Sequence, residues 1–218
     1  MTPCSEASAL GRPQARRGWV PATCLAVFSL LWVGLAVAPY DRATWALENI
    51  PTVVIVGLCI ASYRRFCFSD RAYVQGLCFL VLHTVGSHYT YTNMPLGVWA
   101  QHALGQSRNH YDRLVHFCFG ALLFIAAEQL FVRVGPMRRR LFLAFTVIAW
   151  WSVAYELLEW VVTIVVAPDQ GIAFLAAQGD QWDTQQDLAM ACLGASLAWA
   201  FEATRARVCE GGPLPVDA

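Results

Sequence analysis

The chain has 218 residues, of which 57% are apolar and 14% are charged, and its formal net charge is zero. An ordinary soluble domain has about 25% charged residues, so this chain lacks the polar surface that a water-soluble fold needs. The neutral balance also argues against binding to nucleic acid, because phosphates are met by an excess of basic side chains.

Six stretches of the chain are long and apolar enough, or nearly so, to cross a bilayer, which takes about 20 mainly apolar residues. In chain order they are Val20–Ala38, Trp45–Tyr63, Tyr73–Tyr91, Asp112–Val132, Leu141–Val166 and Asp183–Ala203. They predict an all-α, polytopic membrane protein with a six-helix transmembrane bundle. The domain organisation that follows is a tail at 1–18, a six-span domain at 19–204 and a second tail at 205–218.

The first stretch also has features of a secretory signal peptide. Arg16 and Arg17 precede it, and Ala36-Val37-Ala38 imitates a cleavage site. Pro39 directly after that site and the length of the apolar run favour retention. We therefore expect the first stretch to remain as a span.

The arginines predict the orientation of the bundle, because positive charge accumulates in cytoplasmic segments next to the spans. Twelve of the 15 arginines lie before the first stretch, after the second, after the fourth or after the sixth. Only Arg42, Arg108 and Arg113 lie on the other side. Both termini are therefore predicted to be cytoplasmic, and the connections 93–110 and 167–181 to lie outside. Both connections contain Pro and Gly residues, which oppose a continuous helix.

The fifth stretch carries polar residues that a lipid-facing helix would not carry. Ser152, Glu156, Glu159 and Thr163 follow the pattern i, i+4, i+7, i+11, which places them on one helical face. At about 1.5 Å per residue, Glu159 lies roughly 10 Å below the outer end. Ionisable groups inside a membrane usually face a bundle interior or a cavity and mark a functional site. Glu156 and Glu159 are therefore predicted to be catalytic.

Neighbouring stretches carry acids and histidines at the same level. Asp112 and His116 are four residues apart at the outer end of the fourth stretch, and Asp183 and Asp187 repeat this spacing in the sixth. Asp112 and Asp183 have a structural alternative, since an Asp at a helix start can cap the helix and complement its dipole. The alternative for His116 is an interior histidine whose hydrogen bonds are satisfied. Their common depth favours one shared site, to which we assign all four as catalytic candidates.

The end of the third stretch and the outer connections supply further candidates. His83, His88 and His116 are candidate metal ligands, because imidazole and carboxylate suit zinc, iron or manganese. No standard motif such as HExxH is present, so a divalent metal is one alternative and the cofactor stays open. The candidates for substrate binding are His88, Tyr91, Arg113, Asp180 and Trp182.

Two features predict structural roles. Glu128 lies about 24 Å from Asp112 by helical rise, so we expect it to pair with a cytoplasmic arginine. Small residues in the sixth stretch would allow a close helix approach that seats Asp187 against its neighbours. They are Ala191, Gly194, Ala195 and Ala198.

At these residues the chain resembles the YjdF family of bacterial inner membrane proteins, whose biochemical function is undefined. The matching segments are His88-Tyr89-Thr90-Tyr91, Asn109 to Arg113 with His116-Phe117 and Gly120, Tyr155-Glu156 with Glu159-Trp160, and Gln178 to Asp180 with Trp182-Asp183, Gln185 and Asp187. The resemblance implies a six-span protein of the bacterial inner membrane. It supplies no substrate.

The order of an acid and a His opening one helix, a Glu pair in the next and an Asp opening the last is also distantly similar to VanZ-like proteins. That family is linked to glycopeptide tolerance at the cell envelope. Glu159 stands where the family tends to have Gln, and Ala191 stands where an Asn would follow Asp187. This similarity implies a role at the envelope and nothing finer.

Three functions stay open at this point, and so does whether the protein is an enzyme. The first is an enzyme acting on a lipid or lipid-linked envelope substrate, with paired carboxylates as general acid and base. The second is a proton- or cation-coupled transporter or binding protein, which the one-sided polar groups and the missing inverted repeat disfavour. The third is a structural assembly factor whose polar network locks the bundle. Membrane lipids are the expected partners, and the oligomeric state stays open.

Overall fold

The computed structural model describes residues 18–165 and 177–210, which form seven helices and, within these ranges, no strand. The helices are α1 (Trp19–Leu35), α2 (Arg42–Ser62), α3 (Asp70–His88), α4 (Pro95–Ala103), α5 (Tyr111–Leu130), α6 (Met137–Val165) and α7 (Asp183–Glu210). The predicted all-α fold is therefore confirmed. Residues 1–17 of the tail predicted at 1–18 and residues 211–218 of the tail predicted at 205–218 lie outside the described residues. So do residues 166–176, which include most of the predicted connection 167–181.

Three of these helices, α2, α5 and α6, are long and apolar enough to cross a membrane by length and composition. The apolar α1 has 17 residues, which corresponds to about 25 Å of helical rise. The helices α3 and α7 are less apolar because they carry several of the polar groups noted above. The fold thus has the apolar helices of a membrane protein.

The helix ends differ from the predicted stretches at particular positions. The third helix ends at His88, and Thr90 and Tyr91 have positive φ values of 55° and 53°, so Tyr91 lies beyond the helix. The last helix continues past Ala203 to Glu210. Helix ends depend on caps and backbone turns that an apolar run does not reveal.

The sequence predicted no helix in the connection 93–110, but α4 forms there. Pro95 is tolerated because it occupies the first turn, where a backbone N–H donor is not required. Gly97 is required for packing, since a Cβ atom at this position would lie 2.0 Å from Oδ1 of Asn109. Helix α4 therefore begins at Pro95 and packs closely against Asn109 at Gly97, although Pro and Gly oppose a continuous helix.

Helix α5 packs against α3, α6 and α7, and its contact with α7 is the closest. A Cβ atom on Gly120 would lie 2.0 Å from the carbonyl oxygen of Ala191, and one on Gly194 would lie 2.1 Å from that of Phe117. Small residues let helix backbones touch in this way. The predicted close approach of the last helix is therefore confirmed.

Buried acids at the arginine-rich end of the bundle are paired with arginines. Glu128 lies 2.9 Å from Nε of Arg140, which confirms the predicted ion pair. Glu202 in α7 lies 2.7 Å from Arg71 at the start of α3. These pairs neutralise the buried acids at this end of the fold.

Candidate functional site

Acidic and histidine side chains from five helices meet at the end of the bundle opposite these ion pairs. The group consists of Glu48 from α2, His83 from α3, Asp112 and His116 from α5, Glu156 and Glu159 from α6, and Asp183 and Asp187 from α7. The carboxyl-bearing residues of α6 are only 7% and 8% exposed, so they face the bundle interior and not lipid. Packing thus brings together groups that are far apart in sequence.

His116 is the centre of this group. Its Nε2 atom lies 3.7 Å from Oδ1 of Asp112, one helical turn earlier, and 3.5 Å from Oε1 of Glu156. Asp187 completes the arrangement, because potential ligand atoms of Asp112, His116 and Asp187 lie within 4.8 Å of one another. We call these three residues the triad. The close contact of α5 with α7 seats Asp187 in it.

Two carboxylate oxygens at the triad have no hydrogen-bond donor among the described residues. They are Oδ1 of Asp187 and Oε1 of Glu156, and both are buried. Burying a carboxylate without a partner is unfavourable unless a proton or a cation compensates its charge. The site therefore has unused capacity to bind a positive group.

A second hydrogen-bonded set lies beside the triad and joins α2 to the rest of the site. The hydroxyl of Tyr155 donates to Oε2 of Glu48 at 2.5 Å. Nε2 of His83 lies 3.2 Å from the carbonyl oxygen of Glu48, which can only accept, so this nitrogen carries the proton. The other ring nitrogen then accepts from the hydroxyl of Tyr91 at 2.6 Å. Both ring nitrogens of His83 are therefore engaged in hydrogen bonds, which leaves neither of them free for a metal.

The outer rim of the site is a network of two arginines and two aspartates. The guanidinium of Arg108 pairs with Asp183 and lies 3.4 Å from Asp180. Arg113 lies 2.5 Å from Asp180 and 3.6 Å from Asp183. The backbone N–H of Trp182 and the guanidinium of Arg113 lower the pKa of Asp180 by stabilising its carboxylate. This network pairs Asp183 with two arginines at the rim of the site.

Two predicted residues do not reach the triad. His88 lies at the contact between α1 and α3, where Nδ1 donates to the carbonyl oxygen of Leu35 at 2.7 Å. The side chain of Trp182 is 57% exposed, although its backbone N–H binds Asp180. The other predicted site residues lie at the triad, at the rim or in the hydrogen-bonded set of His83.

Sequence reasoning missed Glu48, Arg108, Asn109 and Tyr155. Glu48 had a signal, since it is the only acid inside the second apolar stretch and stands near its outer end. Asn109 is fully buried, and its amide donates to the carbonyl oxygens of Thr92 and Tyr91 at 2.9 and 3.2 Å. Its role in holding the α4 connection depends on turn geometry, which no spacing rule indicates.

A cavity of about 680 Å³ extends from this polar end along α1, α2, α3, α5 and α6. Its wall is mainly apolar, and its polar end is formed by His83, Tyr91, Asp112, His116, Ser152, Tyr155 and Glu159. Ile55, Trp151 and Leu158 line it and are 45%, 54% and 41% exposed. These exposed side chains indicate that the cavity opens sideways between α2 and α6.

The apolar helices and the buried polar site define the class of helical integral membrane proteins. The family model described as "Predicted membrane protein (DUF2238)" matches residues 20–207, and the chain belongs to this family. It is 36% identical over 177 residues to "Inner membrane protein YjdF" of Escherichia coli (strain K12), a match covering 79% of this chain and 84% of the relative. The resemblance to the YjdF family is thus confirmed, while the VanZ-like pattern stays a prediction. No solved structure matches.

Proposed function

We propose that this protein is a membrane-embedded enzyme that acts on a lipid or lipid-linked substrate of the cell envelope. The observation that carries the proposal is the apolar cavity that opens toward lipid and ends at Asp112 and His116. Its volume and its apolar wall with a few convergent polar groups are typical of ligand sites. A hydrocarbon chain would occupy the cavity and leave the polar part of the lipid beside the triad.

The proposed chemistry is proton transfer by Glu156, whose Oε1 atom lies 3.5 Å from Nε2 of His116. A buried carboxyl group next to the polar end of the cavity can take a proton from a substrate and return it to a leaving group. Asp112, one turn before His116, would orient the imidazole. Asp187 and Glu159 complete the acidic surroundings in which these transfers would occur.

The proposal includes a six-span topology with both termini in the cytoplasm. The spans would be α1, α2, α3, α5, α6 and α7, with α4 at the outer surface. By helical rise, the 19 residues of α3 and the 28 residues of α7 reach about 28 and 42 Å, enough to cross a core of about 30 Å or nearly so. The arginine distribution would then orient the site to the outer leaflet.

The opposite end of the bundle supports an enzyme over a transporter. A proton or cation route needs partners in the inner half of the membrane. Glu128 and Glu202, the buried acids at that end of the described structure, are paired with Arg140 and Arg71. The acids without arginine partners are concentrated at the triad end.

The test is conversion of a lipid by the purified full chain. The protein in lipid nanodiscs would be incubated with a polar lipid extract of its host membrane, and the lipids followed by mass spectrometry. We expect the wild type to convert one lipid class. Glu156→Gln should abolish conversion at unchanged protein yield, because it removes the proton-transfer group and preserves side-chain shape.

Glu202→Gln is the matched control, because it makes the same change to a buried acid at the opposite end. It should keep the activity. Undiminished conversion by Glu156→Gln would contradict the proposed chemistry. Loss of the Glu156→Gln protein from the membrane would favour a structural role, and binding of a lipid that emerges unchanged would favour a binding or transport role.

A further inference from the structure

We propose that Asp112, His116 and Asp187 bind one divalent metal ion where α5 and α7 meet. The inference goes beyond the proposed function, because an ion could bind there whether or not a lipid is converted. It rests on the geometry of the triad, on unpartnered buried oxygens and on the charge balance of the site.

The ligand atoms of the triad are close to the spacing that one ion requires. Ligands held at about 2.0–2.2 Å from an ion lie roughly 3 to 4 Å from each other. The distance of 3.7 Å between Nε2 of His116 and Oδ1 of Asp112 already falls in this range. All three ligand atoms lie within 4.8 Å of one another. A shift of about an ångström in the carboxylate of Asp187 would bring them to the spacing of ligands around one ion.

The unpartnered oxygens are independent evidence that a cation belongs at this place. Asp187 is 2% exposed and its Oδ1 atom has no hydrogen-bond donor among the described residues. Oε1 of Glu156 has no hydrogen bond of its own among the described residues but lies within ion-pair distance of Nε2 of His116, at 3.5 Å. Buried polar atoms in native proteins are almost always satisfied, so an exception requires an explanation such as an ion.

The arginines beside the triad do not supply the missing positive charge. Arg108 and Arg113 are already held by Asp180 and Asp183 at the rim. The carboxyl groups of Asp112, Asp187 and Glu156 therefore exceed the cations that the described residues provide around His116. A divalent ion would compensate two of these charges.

The donor set indicates the kind of ion. Two carboxylates and one imidazole are hard or borderline ligands, which suit Mn²⁺, Fe²⁺ or Zn²⁺ and not thiophilic ions. Three protein ligands leave coordination positions open, as in catalytic and not structural sites. Asp112 and His116 also line the cavity, so the open positions would face it.

The test uses the purified full chain with Zn²⁺ and Mn²⁺ as probes. After equilibrium dialysis, we expect elemental analysis to find one tightly held ion per chain. Asp187→Asn should lower the affinity at least about 100-fold, because even residues that only support a ligand typically contribute 10- to 100-fold. Glu202→Gln is the matched control, since it neutralises a buried acid at the opposite end of the bundle, where Glu202 pairs with Arg71, and it should retain the ion.

Three results would overturn the metal site. They are no binding of either ion to the wild type, unchanged binding by Asp187→Asn, and an equal loss in Asp187→Asn and Glu202→Gln. If Asp187→Asn does not fold, Asp112→Asn takes its place with the same expectation. The experiment measures ion binding in the absence of substrate. A failure to bind an ion would not contradict the proposed lipid chemistry, and a failure to convert a lipid would not contradict the metal site.

Discussion

Glu48 is a buried residue of α2 whose hydrogen bonds join this helix to α3 and α6. Its side chain is only 2% exposed and accepts a hydrogen bond from Tyr155, 107 residues later in the chain. Its carbonyl oxygen also binds His83. One residue of α2 is therefore tied to both α3 and α6 beside the mouth of the cavity.

Replacing Tyr155 should destabilise the fold, because its hydroxyl donates to the buried carboxylate of Glu48. Tyr155→Phe removes the donor and leaves a buried carboxylate oxygen unsatisfied, which typically costs about 1–3 kcal/mol of stability. The measurement is the free energy of unfolding in mixed detergent micelles. Tyr73→Phe is the control, because the hydroxyl of Tyr73 donates to the sulfur of Cys67 at 3.6 Å and not to a buried carboxylate. Equal effects of the two substitutions would contradict the role of Glu48.

The stability that Asp180 contributes by pairing with Arg108 and Arg113 should be lost at low pH. Hydrogen bonds from Trp182 and Arg113 hold the pKa of Asp180 below its ordinary value of about 4. A lowered pKa in the folded state means that the stabilisation is present above the ordinary value and is lost as the pH falls through the lowered one. The difference in unfolding temperature between the wild type and Asp180→Asn should thus be present at about pH 6 and shrink toward about pH 3. A difference that is constant with pH would contradict this assignment.

At the level of whole helices, the contact between α5 and α7 decides where the triad forms. Gly120 and Gly194 let each helix approach the other's backbone directly. His116 lies one turn before Gly120, and Asp187 lies one turn before Ala191. A larger residue at the contact would therefore separate the helices close to the triad.

Gly120→Ala should destabilise the bundle, although Ala is the better helix former by about 1 kcal/mol. The added Cβ would lie 2.0 Å from the backbone oxygen of Ala191, and such overpacking typically costs about 1–3 kcal/mol or more. Gly76→Ala in α3 is the control, because a Cβ atom there meets nothing within 4 Å. Unfolding free energies should shift in opposite directions or by clearly different amounts. Equal stabilisation by both changes would mean that the helices do not touch at Gly120.

For the whole molecule, the proposed topology places the site at the outer side of the membrane. A fluorescent protein that matures only in the cytoplasm, fused after Ala218, should therefore be fluorescent. A phosphatase that is active only outside the cytoplasm should be active when inserted at Gly105, between α4 and α5, and inactive after Ala218. The opposite pattern would reverse the orientation and direct the cavity to the inner leaflet.

Much of this protein could be predicted from its sequence because the signals are local. Apolar length predicted the positions of the long helices, and the spacing of Asp112 with His116 placed both on one helical face. The pattern of small residues in the last helix predicted its close contact, which the structure has. These properties depend on neighbours within a few residues of one another.

The tertiary structure decided what each polar group faces. Asp183 and Asp187 are four residues apart, so the sequence places them on one face of α7. Asp183 is nevertheless paired with Arg108, while Asp187 keeps an unpartnered oxygen at the triad. Glu48 and Tyr155 form a hydrogen bond although their helices are far apart in the sequence. Periodicity determines the face on which a residue lies, but the partner on that face depends on how the helices pack, and packing depends on every helix at once.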